Sequence, residues 1–258
     1  MHILITNDDG IYAPGIQALI EALKPIARVT VAAPDRERSA TGHAITMHSP
    51  IMAKPINRYG QEVCAYAVGG TPADCIKLAL DMFIKNDWPD LVVSGINNGP
   101  NLGTDVIYSG TVSGAIEASM MGVPSVAISM SSHNFISFTE AAAFAAKMVH
   151  QVLDFPKKPA PIFNVNFPVC DPREIKGTKI TKLGIRKYRN NFIHRKDPRG
   201  NEYYWMAGEL EDLPQDSNSD IVAIHKNYIS ITPLHFDLTH YEAMSQIIKW
   251  ESAFQKTE

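Results

Sequence analysis

The sequence lacks the features that mark several common classes of protein. Its three cysteines, Cys64, Cys75 and Cys170, form no CxxC pair and accompany no histidine cluster at zinc spacing, which argues against a disulfide framework and a zinc site. No apolar run approaches the length of about 18 residues that a membrane span needs, and no basic leader opens the chain. We therefore expect a protein of the reducing cytoplasm with no membrane partner.

An excess of charge of one sign is also missing. The formal net charge is −3 over 258 residues, of which 20% are charged, so no long-range field draws the protein toward nucleic acid. GxGxxG and Walker loops are absent as well, which removes support for dinucleotide binding and P-loop chemistry. We expect no nucleic acid polymer as a partner, and any phosphate-bearing ligand has to be held by local groups.

What the chain does contain is a long alternation of strand and helix patterns. Such alternation is typical of a parallel sheet that is covered on both faces. We expect an α/β, Rossmann-like three-layer fold with a mostly parallel sheet, extended by an antiparallel addition. The predicted strands are 2–6, 28–33, 45–56, 62–68, 89–94, 125–130 and 161–167, and the predicted helices are 16–23, 72–83, 111–121 and 138–153.

Beyond Pro168 the pattern changes to strands and hairpins that carry many basic and aromatic residues. We expect residues 1–168 to form the catalytic core, and residues 169–258 to form a β-hairpin and C-terminal arm that elaborate the same protein. The predicted strands and hairpins are Lys179–Arg189, Arg195–Trp205 and Asn227–Thr232, and the predicted helices are a short one capped near Ser219 and a terminal one over Thr239–Phe254.

The opening strand runs directly into the turn Asn7-Asp8-Asp9-Gly10. Two carboxylates about 4 Å apart repel by about 4 kcal/mol at an effective dielectric constant near 20. An acid pair in a cleft therefore either keeps a proton or holds a cation. For an isolated pair, the simple alternative is a solvated turn.

Two later loops supply further oxygen ligands. Ligands of open parallel sheets bind outside the carboxyl ends of the strands, where the strand order reverses. The polar loop of residues 34–46 brings Ser39 to such an end, and the loop of residues 95–103 brings Asn97. Together with Asp8 and Asp9 they form an all-oxygen set, which suits Mg²⁺ or Mn²⁺. Ser39 as a plain surface residue is the alternative, and we expect neither His43 nor His48 to be a ligand.

A glycine-framed helix start follows the second of these loops. Free N–H groups and the positive end of the helix dipole at Thr111 favour an anion. The glycines of the loop let backbone approach a ligand closely, although glycine- and asparagine-rich loops also occur as simple turns. The residues expected to bind phosphate are Asn98, Ser109, Gly110 and Thr111.

Several distinctive strings occur along nearly the whole chain. They are Ile5-Thr-Asn-Asp-Asp-Gly-Ile-Tyr-Ala-Pro-Gly15, Ala33-Pro-Asp-Arg-Glu-Arg-Ser39, Gly70-Thr-Pro-Ala-Asp-Cys75, Val93-Ser-Gly-Ile-Asn-Asn-Gly-Pro-Asn-Leu-Gly103, Tyr108-Ser-Gly-Thr-Val112 and Thr232-Pro-Leu-His-Phe-Asp-Leu-Thr239. In this order they resemble the SurE survival protein family of 5'/3'-nucleotidases. Many strings in register are far more specific than a single motif.

The resemblance implies a metal-dependent phosphatase of nucleoside monophosphates, with some action on short polyphosphate. It implies one divalent cation per subunit, held at the positions that match Asp8, Asp9, Ser39 and Asn97. It also implies a C-terminal arm that is exchanged between subunits in a homodimer or homotetramer. Many members read Gly-Ala-Ser-Asn-Ser where this chain has Ala40-Thr-Gly-His-Ala44, a change expected to affect loop closure or substrate preference and to leave the ligands intact.

The leading hypothesis is metal-assisted hydrolysis of a nucleotide phosphomonoester, with Asp8 and Asp9 as catalytic residues and Asp9 as the candidate proton acceptor. One rival is a phosphatase with an aspartyl nucleophile, whose acids are generally spaced one residue apart, whereas these are adjacent. A second rival is a Mg²⁺-binding receiver domain, a switch that needs a phosphoacceptor Asp where this chain has Ser94-Gly-Ile-Asn97. Arg186, Tyr188, Arg189, Tyr203 and Trp205 either frame the substrate or pack against a second subunit, and we favour packing.

Overall fold

A mixed β-sheet forms the centre of the protein. The computed structural model describes residues 1–131, 137–156, 158–189, 192–211 and 213–254. Within them the sheet has nine strands in the order β3-β4-β2-β1-β5-β6-β7-β13-β8. The strands, numbered along the chain, are β1 His2–Thr6, β2 Arg28–Pro34, β3 Ala53–Ile56, β4 Val63–Val68, β5 Leu91–Asn97, β6 Ser125–Met130, β7 Ile162–Phe167, β8 Thr178–Ile180, β9 Tyr188–Arg189, β10 Phe192–Lys196, β11 Glu202–Met206, β12 Glu209–Leu210 and β13 Ile229–Leu234.

Helices cover both faces of this sheet, as the alternating pattern predicts. Helices α1 and α4 pack together on one face, and α2 and α3 pack together on the other. A π-helical turn, Ala79–Phe83, continues α2, and short 3-10 turns cover Gly103–Ile107 and Pro172–Glu174. The α-helices are α1 Pro14–Leu23, α2 Pro72–Leu78, α3 Gly110–Met120, α4 Thr139–Leu153, α5 Asp220–His225, α6 Tyr241–Ile247 and α7 Trp250–Phe254.

The apolar opening of the chain forms the central strand of the parallel part. Six neighbouring strands from β4 to β7 run parallel. A strand in this position is buried on both faces, so it reads as a continuous apolar run rather than an alternating one. Ile3 and Ile5 join the core formed with α1 and α4, while Leu4 faces the core on the α2 side. The Rossmann-like three-layer prediction is confirmed.

The helix that follows the glycine pair at residues 69 and 70 begins as the sequence predicts. The Thr71 side chain accepts a hydrogen bond from the Asp74 backbone N–H, and the Asp74 carboxylate accepts one from the Thr71 N–H at 2.9 Å. Pro72 occupies the first turn, where it removes no helical hydrogen bond. This capping box fixes the start of α2.

Three predicted elements differ from the structure. The strand predicted over 45–56 is a strand only in β3. Before it, Thr46 is bonded to the Asp74 carboxylate and the Met52 carbonyl accepts from the Gly69 N–H. Strand β3 is antiparallel to β4, as expected of an addition, but β4 itself runs parallel to β2. In place of the strand or hairpin predicted over 179–189, the structure has two short strands, β8 near its start and β9 at its end. The terminal helix is divided into α6 and α7; α6 buries none of its residues.

The C-terminal part both extends the sheet and projects from it. Strand β13 adds antiparallel to β7, and β8 pairs in parallel with β13. Strands β10 and β11 form a hairpin within the region predicted as Arg195–Trp205 and just before it, with its turn at 197–200, and their side chains are exposed. The described helices all fall short of the length and apolarity that crossing a membrane would require.

Candidate functional site

The order of the strands reverses at β1, which has β2 on one side and β5 on the other. The carboxyl ends of these three parallel strands therefore meet at one edge of the sheet. They deliver the acid turn after β1, the loop of residues 35–46 after β2, and the end of β5 with the loop that leads to α3. This is the place where open α/β sheets bind ligands.

The acid turn is fixed by its own amide and by the neighbouring loop. The Asn7 side chain donates from Nδ2 to the Gly10 carbonyl at 3.0 Å. The Arg38 backbone N–H donates to the Asp8 carbonyl at 2.7 Å. Gly10 has a φ of +98°, and a Cβ there would lie 3.1 Å from the backbone of Arg36. The turn is therefore held rigidly against the segment that carries Ser39.

Asp8 is a buried carboxylate, with 4% of the residue exposed. Burial raises its pKa to about 6; the hydrogen bond from the Thr111 hydroxyl to Asp8 Oδ1 opposes this shift, and the charge of Asp9 adds to it. In the described part of the chain no lysine or arginine forms an ion pair with Asp8. A buried acid with an acidic neighbour and no cationic partner suits a bound cation.

Asp9 and Asn97 are positioned by backbone contacts of the loop after β5. The Asn98 N–H donates to Asp9 Oδ2 at 3.0 Å. The register between β5 and β6 shifts between Ser94 and Asn97, which is the way a bulge redirects a side chain at a strand end. Asn97 Nδ2 donates to the Gly99 carbonyl at 2.8 Å. The other atom of this side-chain amide, Oδ1, is the one that can coordinate a metal.

Ser39 lies on the exposed surface of the loop, directly after the residue that bonds the acid turn. Its hydroxyl donates to Glu37 Oε1 at 2.7 Å. A serine that donates its proton in this way keeps the lone pairs of its oxygen for a cation. The next residue, Ala40, has a φ of +55°, an uncommon conformation for a residue with a side chain.

The start of α3 lies against Asp8. Ser109 is the N-cap, and its hydroxyl accepts from the Val112 N–H at 3.1 Å. Because the Val112 N–H is bonded to Ser109 and Thr111 is engaged by Asp8, the Gly110 N–H is the natural donor to an anion in the first turn. A Cβ at Gly110 would lie 2.7 Å from the Cβ of Asp8, so only glycine allows this approach.

The donor set fits a hard divalent cation. Its members are two carboxylates, a hydroxyl and an amide, all offering oxygen, as Mg²⁺ and Mn²⁺ prefer. Among the described residues, no group of three or more histidine, cysteine, aspartate or glutamate side chains is placed to hold a metal. The candidate set has only two such side chains, so neutral oxygens have to complete it.

Comparison with known proteins identifies the family of this chain. The family model of "Survival protein SurE" matches residues 3–190. The chain belongs to the SurE family. The "5'-nucleotidase SurE" of Alkaliphilus metalliredigens is 51% identical over 247 residues, covering 96% of this chain and 97% of the relative. That of Carboxydothermus hydrogenoformans is 50% identical over 259 residues, covering 99% and 98%.

A solved SurE structure has the same fold. The crystal structure of the SurE protein from Aquifex aeolicus is 41% identical to this chain, covers 97% of it and 100% of its own chain, and superposes with a TM-score of 0.83. The recognition of the family from the sequence is therefore confirmed over nearly the full length.

One support of the candidate site, the set of contacts made by Asn101, was not predicted from the sequence. Asn101 donates from its backbone N–H to Asn166 Oδ1 at 2.9 Å, and its carbonyl accepts from the amides of Asn164 and Asn166 at 2.8 and 3.0 Å. Its own amide donates to Ser129 Oγ at 2.8 Å. This buried network anchors the loop that follows Asn97. Two asparagines alternating within the otherwise apolar strand β7 were the available signal.

Proposed function

We propose that this chain is a metal-dependent phosphomonoesterase that hydrolyses nucleoside 5'- and 3'-monophosphates to nucleoside and phosphate. The observation that supports the proposal is the contact between the buried acid turn, which suits a cation, and the start of α3, which suits an anion. The curated relatives are named 5'-nucleotidases, which supports the nucleotide as the substrate.

One divalent cation per subunit, Mn²⁺ or Mg²⁺, is proposed to be held by Asp8, Asp9, Ser39 and Asn97. When bound, such an ion polarises a phosphoryl oxygen and lowers the pKa of a coordinated water. The burial of Asp8 supports this role, because the charged carboxylate is disfavoured there until a positive charge is present.

The remaining steps fall to groups of the protein. The side-chain amide of Asn98 and the N–H group of Gly110, with Ser109 and Thr111 at the start of α3, are proposed to hold the phosphate where negative charge develops during transfer. Asp8, fixed by the Thr111 hydroxyl, orients the site. Asp9, held through the Asn98 N–H, is the candidate acceptor of the proton of the attacking water.

We also propose the organisation of the chain around this site. Residues 1–168 form the catalytic core and residues 169–258 the elaboration, which is exchanged between subunits of a homodimer or homotetramer. The exposed apolar and aromatic side chains of the β10–β11 hairpin support a subunit contact. Three free cysteines support a reducing compartment, the cytoplasm.

A panel of metals and nucleotides tests the function directly. Purified protein, stripped with a chelator, is assayed for phosphate release from 5'- and 3'-monophosphates with Mn²⁺, Mg²⁺ or no added metal. We expect metal-dependent release from nucleoside monophosphates. Absence of release under every metal contradicts the proposal, and a trapped covalent phosphoaspartate would favour the aspartyl-nucleophile rival.

A further inference from the structure

The loop that carries Ser39 is tied to the starts of both helices on one face of the sheet. The Gly42 N–H donates to the Tyr108 carbonyl at 3.0 Å, next to the cap of α3. The Thr71 hydroxyl, at the cap of α2, donates to the Ala44 carbonyl at 2.7 Å. Farther along, the Thr46 N–H donates to Asp74 Oδ1 at 2.9 Å. The loop therefore follows a defined path over the candidate site without forming helix or strand.

One charged side chain reaches this loop from the interior of α3. The Glu117 side chain is only 4% exposed, and it lies seven residues after Gly110, which is two helical turns along the same face. Its Oε2 is 2.8 Å from His43 Nε2, and its Oε1 is 2.9 Å from Lys77 Nζ. Burial alone would raise the pKa of Glu117, but the hydrogen bonds from His43 and Lys77 outweigh it and lower that pKa.

We propose that Glu117 and His43 are positioning residues that hold the Ser39 loop over the acid turn and thereby set the affinity of the site for its divalent cation. This inference rests on the proposed function, since Ser39 acts on the reaction only as a ligand. The pair joins the helix whose start lies against Asp8 to the loop four residues beyond Ser39. Movement of this loop therefore changes the distance between ligands that come from different strands.

The two partners of Glu117, Lys77 and His43, differ in what they hold in place. Lys77 extends from α2, a helix already fixed by its capping box, so its ammonium group serves mainly to neutralise a buried charge. His43 belongs to a loop that has no regular structure and that holds Ala40 at a φ of +55°. A backbone conformation of this kind persists only where surrounding contacts impose it. Loss of His43 therefore removes the side-chain contact between α3 and the loop, whereas loss of Lys77 leaves that contact in place.

The experiment compares three variants of the full-length protein. His43→Ala removes the loop partner, His43→Gln replaces it with an amide donor of similar reach, and Lys77→Met is the matched control on the same carboxylate. Mn²⁺ binding is measured by calorimetry without nucleotide, and AMP hydrolysis is measured as a function of Mn²⁺. We expect H43A to weaken Mn²⁺ binding about tenfold, the size typical of outer-shell changes, with kcat at saturating Mn²⁺ within about twofold of wild type.

H43Q is expected to restore most of the affinity, and K77M to bind Mn²⁺ within about twofold of wild type. Amide hydrogen exchange supplies a readout that does not depend on activity. We expect the backbone amides of Gly42 and Thr46 to exchange faster in H43A than in wild type, and at the wild-type rate in K77M. If wild type binds Mn²⁺ and hydrolyses AMP while H43A and K77M behave alike, the positioning role is overturned and the proposed function stands. A wild-type protein that neither binds Mn²⁺ nor hydrolyses AMP overturns both.

Discussion

At the scale of single residues, the candidate site depends on a contact between Gly110 and Asp8 that is too close to admit a methyl group at Gly110. Gly110→Ala would place a Cβ 2.7 Å from the Asp8 Cβ and 2.9 Å from its Oδ2, so Asp8 has to move. Displacement of a catalytic group by about 1 Å can cost about 100-fold in rate. We therefore predict that G110A loses at least about 100-fold in kcat/KM for AMP.

The matched control is Met120→Ala, an exposed position on the same helix. It is expected to keep wild-type activity, and far-UV circular dichroism should show both variants folded. A folded G110A with wild-type kcat/KM would contradict the placement of Asp8 against α3.

A second residue-scale prediction concerns Ala40, whose φ of +55° lies in the left-handed region. This conformation costs a residue with a side chain roughly 1–2 kcal/mol, and a β-branched residue tolerates it worst. Ala40→Val should lower the free energy of unfolding in urea by about 1–2 kcal/mol. Ala40→Gly should have a free energy of unfolding equal to that of wild type or up to about 1 kcal/mol higher, because the relief of backbone strain is partly offset by the greater entropy of the unfolded chain. Equal stability of A40V and wild type would refute this account.

The sequence predicts individual site residues unevenly. Asp8 and Asp9 stand out because a buried apolar strand rarely ends in two acids without a partner. Ser39 does not stand out by itself among charged neighbours, since its proximity to the acid turn is created by the strand order and not by local sequence. The pairing of His43 with Glu117 was not predicted at all: these residues are 74 positions apart, and only the folded loop brings them together.

At the scale of elements, the buried carboxylate of Asp74 joins the start of α2 to the Ser39 loop. It accepts from the Thr46 N–H at 2.9 Å, the Thr46 hydroxyl at 2.6 Å and the Thr71 N–H at 2.9 Å. Burial would raise its pKa, but the hydrogen bonds from Thr46 and Thr71 lower it below the ordinary value of 3.8. The ionised form is therefore the stabilising one in the folded protein.

We predict that Asp74→Asn lowers the free energy of unfolding by about 2–4 kcal/mol at neutral pH, because hydrogen bonds to a charged acceptor are lost. A group with a lowered pKa contributes stability above its unfolded pKa, and the contribution is lost as the pH falls through the folded pKa. The difference between wild type and D74N in urea unfolding should thus shrink below about pH 4.

Asp81→Asn, on the exposed side of the π-helical turn that continues α2, is the control and should stay within about 0.5 kcal/mol of wild type. A D74N deficit that grows as the pH falls would contradict the assignment of an ionised Asp74.

Elements were predictable where local pattern and tertiary environment agree. The interior strands and the helices α1 to α4 follow from apolar periodicity, and Thr71 and Ser219 act as N-caps as expected. Residues 45–52 look extended in sequence, but the hydrogen bonds of Thr46 go to the Asp74 carboxylate in the first turn of α2, which no strand pattern reveals. The terminal helix was overestimated because α6 has no buried face that would enforce a continuous helix.

At the scale of the whole molecule, the β10–β11 hairpin exposes more apolar surface than a monomer needs. Tyr204, Trp205 and Met206 are 61%, 64% and 77% exposed. Large apolar side chains exposed together on one hairpin are typical of a contact surface. We predict that the wild-type protein sediments as a dimer or tetramer and that Trp205→Glu shifts it toward the monomer.

Trp88→Glu is the control, because Trp88 is an exposed tryptophan outside the hairpin, at 45%. It should sediment as wild type does. A monomeric wild-type protein at micromolar concentration would contradict the subunit contact.

The central claim is that the acid turn after the first strand holds the divalent cation for phosphomonoester hydrolysis. The most direct test is phosphate release from AMP by Asp8→Asn and Asp9→Asn at saturating Mn²⁺, alongside wild type. The account predicts that each variant loses at least about 1,000-fold in kcat, because the carboxylate charge that retains the cation is removed. Turnover by either variant at the wild-type rate would contradict the assignment of that carboxylate.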